Sequence, residues 1–546
     1  MIFDPQKRNA FLPIIFSIIL ISGIWIGYFL SLNFASGLNT FHHKKEGNGE
    51  KINSLLDYIE YQYVDTINKS DLVEKTVTAM LQNLDPHSSY IPASEFEMTN
   101  ESLEGNFDGI GVEFNIIKDT IRIISVIEGG PSEKAGLKAG DRLIKVEEIN
   151  MTGPKISNKE VFDKLRGKSG SIVNITIFRH GILKPVVYKI TRGTIPIYSI
   201  DASYMLNSNI GYIKISKFGS TTYDEYIKAF NELTKLGMKK MILDLRGNPG
   251  GYLNAAVDIS DEFLKKGMLI VYTEGKSSAK RTYNATERGS FENNDVVVLI
   301  DEGSASASEI VAGALQDNDR GLIVGRRSFG KGLVQDQLQL PDGSAIRLTV
   351  ARYYTPTGRC IQKPYSDDKT LYYSEEYERF HKGELLSADS IKLDKTKQYK
   401  TPEGKIVFGG GGIMPDIFVP IDTSISNSNL NQVFNTGIIN SFAFDYVDKN
   451  RVKLNEYIGV ENFMSNFEIS NTILSEFYVY CINQKLDIKK VFEKKINDAL
   501  RIYLKAFIGR YGFKKDIYYP IVNKNDKCIQ VAIENLLKQT STFTKK

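Results

Sequence analysis

Val296-Val297-Val298-Leu299-Ile300, followed by Asp301-Glu302-Gly303 and then by Ser304-Ala305-Ser306-Ala307-Ser308-Glu309, sets the architecture of this 546-residue chain. The apolar run reads as a buried strand, the small residues as a tight turn, and the residues after Ser306 as a helix. That order presents a hydroxyl at a helix N-terminus, where backbone N–H groups are unpaired and an oxyanion can be held. A glycine-flanked lysine comes later, at Phe329-Gly330-Lys331-Gly332. The pairing suggests a serine hydrolase whose base is lysine.

The same alternation of strand and helix extends outward over residues 195–420. Strands are expected at 211–215 and 241–245, and helices around 223–236 and 254–265, which makes this stretch an α/β layered domain. Before it, residues 107–192 carry short alternating runs separated by glycine turns. These predict a compact β-rich module with one clear helix, Asn158 to Leu165. Residues 52–84 show helical spacing and stop at Leu84-Asp85-Pro86-His87-Ser88-Ser89-Tyr90, where Pro86 ends the helix; His87 reads as a structural turn residue. The polar, tyrosine-rich stretch 365–400 resembles an insertion or flexible flap. The lysine-rich tail looks helical, with Leu474, Phe477, Val479 and Tyr480 as apolar anchors and no chemistry of its own.

Residues 11–34 contain no charged side chain. As a helix they would extend about 36 Å, enough for a bilayer core, and are expected to form an uncleaved anchor. The expected organisation is therefore a tail (1–10), a transmembrane anchor (11–34), a linker (35–51), a helical region (52–102), the β-rich module (103–193), the α/β core (194–420) and a helical C-terminal region (421–546). The fold class is α+β multidomain. With 69 basic and 65 acidic residues the net charge is +4, so no basic excess points to nucleic acid. Three separated cysteines exclude a disulfide framework, and none of the five histidines forms a zinc-binding pattern or adjoins Ser306. No metal or organic cofactor is expected.

A serine attacks a carbonyl only if a neighbour takes its proton, and Lys331 does so only when neutral. Free lysine, with a pKa of ~10.4, is neutral in roughly one molecule in a thousand near pH ~7.4, so the amine must be desolvated. Gln335 is four residues on. In a helical turn it would lie ~6 Å away, and in a strand ~13 Å, so only the turn lets its amide orient the amine directly. Asp244-Leu245-Arg246-Gly247-Asn248-Pro249-Gly250-Gly251 ends a strand in a glycine turn, and Gly250 or Gly251 can join the Ala307 N–H as oxyanion donors. Gly325 to Lys331 also fits the start of a phosphate-binding loop, but Gly332 stands where a magnesium-binding Ser or Thr should be.

From about Leu55 to Pro420 the chain resembles the carboxyl-terminal processing, or tail-specific, proteases. The blocks at 304–310, 329–335, 244–251 and 84–88, with Tyr353-Tyr354-Thr355-Pro356-Thr357-Gly358, carry the likeness. The resemblance implies a ClpP/crotonase-like core with Ser306 as nucleophile, Lys331 as base and Gln335 as its orienting partner. It implies that the β-rich module is a PDZ domain. There Gly109-Ile110-Gly111-Val112 would receive a terminal carboxylate, and Val161, Phe162 and Leu165 would line an apolar groove for strand addition. Arg166 resembles an arginine linking PDZ position to the active site. The implied partners are protein substrates with apolar C-termini, and the helical region can pair two copies. The implied location is the inner cell membrane, single-pass, with the catalytic part periplasmic or extracytoplasmic. A PDZ scaffold without turnover is the alternative, against which Ser306, Lys331 and Gln335 stand intact. Arg326-Arg327-Ser328 departs from the acidic residue and threonine usual before Phe-Gly-Lys-Gly, and its added positive charge is expected to lower the lysine pKa further.

Overall fold

The structure, a computed structural model, describes residues 17, 19–26, 48–117, 119–179, 181–366, 369–423, 433–486, 494–513 and 517–538. It divides into two compact units, Met1–Val77 and Thr78–Lys546. In the first, Ser17 and residues 19–26 are helical; the rest of the expected anchor 11–34 lies outside the described residues. Among the described residues no helix is long and apolar enough to cross a membrane. The helical stretch expected from residue 52 is broken into α1 (Asn48–Gln62) and α2 (Lys69–Gln82). Asn68 accounts for the restart, since its Oδ1 accepts the Ser70 N–H at 3.0 Å, a helix cap.

In the second unit, β1 (Ser89–Ile91), α3 (Ala93–Glu104) and β2 (Asn106–Gly109) lead into the β-rich module. The module comprises β3 (Val112–Ile117), β4 (Thr120–Val126), α4 (Pro131–Ala135), β5 (Arg142–Val146), β6 (Ile149–Asn150), α5 (Asn158–Leu165), β7 (Ile172–Phe178) and β8 (Val186–Thr191), and β9 (Gly193–Pro196) leaves it. Its sheet runs β3-β4-β5-β7-β8, which leaves β3 at an edge, and β2 pairs with β9 to close the module's neck. Inward residues of alternate strand positions, among them Ile121, Ile123, Leu143, Ile175 and Ile177, form its own core.

The α/β core follows as β10 (Ile200–Met205), β11 (Ile210–Ile215), α6 (Thr222–Lys235), β12 (Lys240–Asp244), α7 (Leu253–Asp261), β13 (Leu269–Glu274), β14 (Arg281–Asn284), β15 (Val296–Ile300), α8 (Ala307–Asp317), β16 (Leu322–Gly325), β17 (Leu333–Gln339) and β18 (Ala345–Tyr354). The insertion adds α9 (Lys369–Tyr373), α10 (Glu375–His381), β19 (Gln398–Lys400) and β20 (Ile406–Phe408), and β21 (Ile417–Phe418) ends the core. One sheet runs β10-β11-β12-β15-β16-β21, parallel from β11 onward; a second runs β1-β18-β13-β14, with β17 on β18.

A parallel strand buried on both faces needs cover on both, and β15 shows what supplies it. Val296, Val298 and Ile300 join the cluster built with α6, α7 and α8. Val297 and Leu299 face the other way, onto Cys528, Ile529, Ala532 and Leu536 of the last helix. The C-terminal region is α11 (Ile438–Leu454), α12 (Gly459–Asn466), α13 (Asn471–Asn483), α14 (Lys494–Gly512), α15 (Tyr518–Val522) and α16 (Lys527–Lys538). The first five form a bundle around Phe463, Phe477, Leu500 and Leu504, and α16 is the second cover of the sheet. The same region also grips the β-rich module: Arg451 Nη2 donates to Ala139 O at 2.9 Å, Arg510 meets Glu113 at 3.1 Å, and Arg122 pairs with Asp445. Leu474 and Phe477 are buried as expected, whereas Val479 is 56% exposed, because it falls on the outer face of α13.

Candidate active site

Ser306 caps the transition from β15 to α8 with φ 54° and ψ −112°. A non-glycine residue held there stores about 1–3 kcal/mol of strain and persists only if its surroundings fix it. They do. Ala305 N–H donates to Asn248 O at 2.9 Å, Ser304 Oγ to Leu245 O at 2.8 Å and Ser308 Oγ to Asn248 O at 2.9 Å. The two flanking hydroxyls are thus spent on tying the elbow to the 244–251 turn, and it is Ser306 that opens on a cavity of about 490 Å³. Lys331, Gln335, Gly250, Gly251, Tyr353 and Arg347 line the same cavity.

The glycine turn meets the elbow closely. A Cβ at Gly250 would stand 2.7 Å from Ser306 Cβ and 2.9 Å from Ala307 N, so no side chain fits. The expectation that Gly250 donates to an oxyanion is corrected, because its N–H is already held by Asn248 Oδ1 at 2.9 Å. The N–H groups of Gly251 and Ala307 have no acceptor among the described residues.

Lys331 Nζ donates to Gln335 Oε1 at 3.0 Å, and Gln335 Nε2 donates to His87 O at 2.6 Å. Gln335 reaches the amine although it lies in β17, where a strand was expected to hold the two far apart. Lys331 itself precedes the strand, and the register of β17 on β18 shifts between Val334 and Gln335, so the path between the two residues is not a straight strand. Burial lowers the Lys331 pKa, and the positive charge of Arg347 lowers it further, against the opposing charges of Asp85 and Glu309. Arg326 and Arg327 do not act on it as expected. Arg326 is paired with Glu302 at 2.7 Å and Arg327 with Glu384 at 2.7 Å, and those carboxylates cancel their charge. The stretch read as a flap supplies Glu384, and Lys363 just before it stacks on Phe329 and Tyr372 at 3.9 and 4.2 Å. It is docked on the lysine loop.

Sequence reading missed the group that joins both halves of the site. Glu309, fully buried in the first turn of α8, accepts the N–H of Ser306 at 2.8 Å, of Lys331 at 2.9 Å and of Gly330 at 2.7 Å, and the Ser328 hydroxyl at 2.5 Å. One carboxylate therefore fixes the backbone under the serine and under the lysine, and burial lifts its pKa to about 7. The Ser-x-x-Glu spacing was a legible signal. His87 was also under-read: its carbonyl anchors Gln335, while burial and the nearby Lys331 push its imidazole down to about 4, so it stays neutral against the Tyr372 hydroxyl at 2.7 Å. Tyr353, from β18, places its hydroxyl between the carbonyl oxygens of Ser306 and Lys331.

Residues 209–368 match peptidase family S41, residues 122–179 match the PDZ domain, and residues 429–514 match a family of unknown function (DUF8443). A carboxy-terminal-processing protease of Bartonella bacilliformis is 36% identical over 344 residues, covering 62% of this chain and 78% of that protein. The chain belongs to the carboxy-terminal processing proteases. The protease CtpB of Bacillus subtilis is 34% identical over 354 residues, 64% of this chain and 72% of the relative. A solved photosystem II D1 C-terminal processing protease aligns at 25% identity with a TM-score of 0.35, over 71% of this chain and 90% of the other.

This S41 serine protease carries its PDZ domain as the β-rich module. Val112 begins the edge strand β3, Ile110 is buried, and Gly109 pairs with Gly193 across the neck while Gly111 turns at φ 75°. Val161 and Leu165 are corrected from groove to core: both are buried in the PDZ cluster. On α5 these positions, four residues apart, share the inward face, and Phe162, one step around the helix, is the residue left 40% exposed, its ring 5.3 Å from Phe114 of β3. Arg166 stacks on Phe107 and Phe162 at 4.9 and 5.1 Å and pairs with Glu101 of α3 at 2.5 Å.

Proposed function

We propose that this protease is a membrane-anchored endopeptidase facing the periplasm or cell exterior. Its PDZ domain gathers apolar C-terminal tails along the β3 edge and Phe162, and its ClpP/crotonase-type core cuts them. Ser306 attacks the scissile carbonyl while neutral Lys331, oriented by Gln335, takes the proton. The N–H groups of Ala307 and Gly251 stabilise the oxyanion. Lys331 then protonates the leaving amine, and afterwards activates the water that hydrolyses the acyl-enzyme. The observation that carries this reading is the partly buried Lys331 amine, held by a neutral amide oxygen at 3.0 Å in the cavity that also receives Ser306.

The test is cleavage of an apolar-tailed peptide by wild type, Ser306→Ala and Lys331→Ala. Turnover by wild type alone is the expected result, with losses of about 10⁴-fold or more in both variants; equal turnover in all three rejects the assignment. The anchor rests on the charge-free length of residues 11–34. The full chain should stay with membranes through an alkaline wash and a chain starting at residue 35 should not; release of both removes the anchor from the account.

A further inference from the structure

Arg347 sits mid-strand in β18, between Ser89 of β1 and Gln337 of β17, and lines the cavity that holds Ser306 and Lys331. Its Nε donates to Gln337 Oε1 and its Nη2 to Asn100 Oδ1, each at 3.0 Å. Both acceptors are neutral. Among the described residues no carboxylate pairs with Arg347, although Asp336 lines the same cavity. A guanidinium has five N–H donors in a planar fork, and the two hydrogen bonds leave Nη1 without an acceptor among the described residues.

A half-buried cation without a counter-ion is costly, and the fold shows how it treats such a group when the role is structural. Arg320 also lacks a carboxylate hydrogen-bond partner, yet it spends its donors on the carbonyls of Phe263, Phe291 and Asn294 at 2.7, 2.5 and 2.5 Å. Arg347 is instead clamped from two sides by amide oxygens that orient it without neutralising it, in the cavity that also holds the Lys331 amine. Burial accordingly lowers its pKa; the Tyr252 phenol opposes that shift, and no carboxylate does. A planar fork so held matches a carboxylate.

We propose that Arg347 is the receptor for a carboxylate borne by the substrate next to the scissile bond, so that this protease prefers to cut beside an acidic residue or close to a chain terminus. The inference rests on Ser306 and Lys331 being the reacting pair. It makes Arg347 a specificity-determining residue, with Asn100 and Gln337 as its positioning partners.

The experiment compares kcat/KM for matched peptides that share one apolar tail. They carry Glu or Gln at each of the two positions on either side of the cut, with a further pair ending in a free or amidated carboxylate two residues beyond it. Wild type should favour the acidic member at one position by about tenfold; which pair shows it distinguishes a side-chain from a terminal carboxylate. In Arg347→Gln that ratio should fall to about one, and in Arg347→Glu it should invert toward a Lys peptide. The ratio is read within one variant, so a general loss of activity does not mimic it. Equal cleavage of all acidic and neutral pairs by wild type overturns the carboxylate receptor while leaving the hydrolase intact. Cleavage of no peptide by wild type overturns the hydrolase reading, and this one with it.

Discussion

The Ser306 cavity and the residues behind it treat basic side chains removed from bulk water in opposite ways. In the cavity, Lys331 faces the amide of Gln335 and Arg347 the amides of Gln337 and Asn100. Behind it, Arg359 meets Asp317 at 2.6 Å, Arg327 and Arg379 share Glu384 at 2.7 and 2.8 Å, and Lys363 meets Glu375 at 2.5 Å. Neutral acceptors orient a cation and leave its charge, or its proton, available to something else. Carboxylates consume the charge and return rigidity. Charge is left unmatched in the Ser306 cavity, where the proposed mechanism brings substrate, and matched where the lysine loop is held still.

The largest effect expected from this contrast falls on Arg359, which is fully buried. It also donates to Gln316 Oε1 at 2.6 Å and Phe408 O at 3.0 Å. Arg359→Met nearly keeps the volume and leaves the Asp317 carboxylate, among the described residues, with Thr357 alone to donate to it, through its N–H at 3.2 Å and hydroxyl at 2.7 Å. Breaking a buried pair in this way costs about 3–5 kcal/mol. Urea unfolding followed by circular dichroism should show that loss. Arg359 is not among the charges that act on Lys331, so the pH–rate profile of the folded variant should keep its midpoint. A stability change under about 1 kcal/mol, within the range of ordinary surface pairs, would remove the distinction between the two regions.

The division also explains which features were legible in the sequence. The elbow could be read because a run of five apolar residues, small residues at the turn and a glycine-flanked lysine are local signals, each tied to one backbone requirement. Gln335 was legible only through the family resemblance, since spacing left turn and strand open and the register shift on β18 depends on a strand that comes later in the chain. Arg347 gave no signal: in sequence it is one charged residue in an alternating strand, and its lack of a counter-ion exists only once β1, α3 and β17 are assembled around it. Arg326 and Arg327 misled for the converse reason, because the carboxylates that cancel them come from Glu302 and from residues 375–384. The apolar positions 528, 529, 532 and 536 have helical spacing, but nothing local says that they cover the far side of a sheet built from residues 200–418. In the PDZ domain the helix of residues 158–165 was placed correctly and its faces were not, since apolarity alone does not separate a groove residue from a core residue.

A smaller effect sharpens the contrast from the cavity side. Burial is the main cause that lowers the Lys331 pKa, and the Arg347 charge adds to it. Replacing Arg347 by Gln removes a positive neighbour, so the ammonium form of Lys331 is less disfavoured and its pKa rises. The neutral base then appears only at higher pH. With a peptide lacking acidic residues near the cut, the acid limb of kcat/KM should move to higher pH in Arg347→Gln and the two enzymes should converge toward the alkaline plateau. The loss on the limb should stay below about tenfold, because one charge in a solvent-open cavity is partly screened. Raising ionic strength should shrink the gap by moving the wild-type limb toward the variant's. A limb that stays in place or moves to lower pH would mean that the Arg347 charge does not act on Lys331, and the two groups would then not share the cavity as coupled charges.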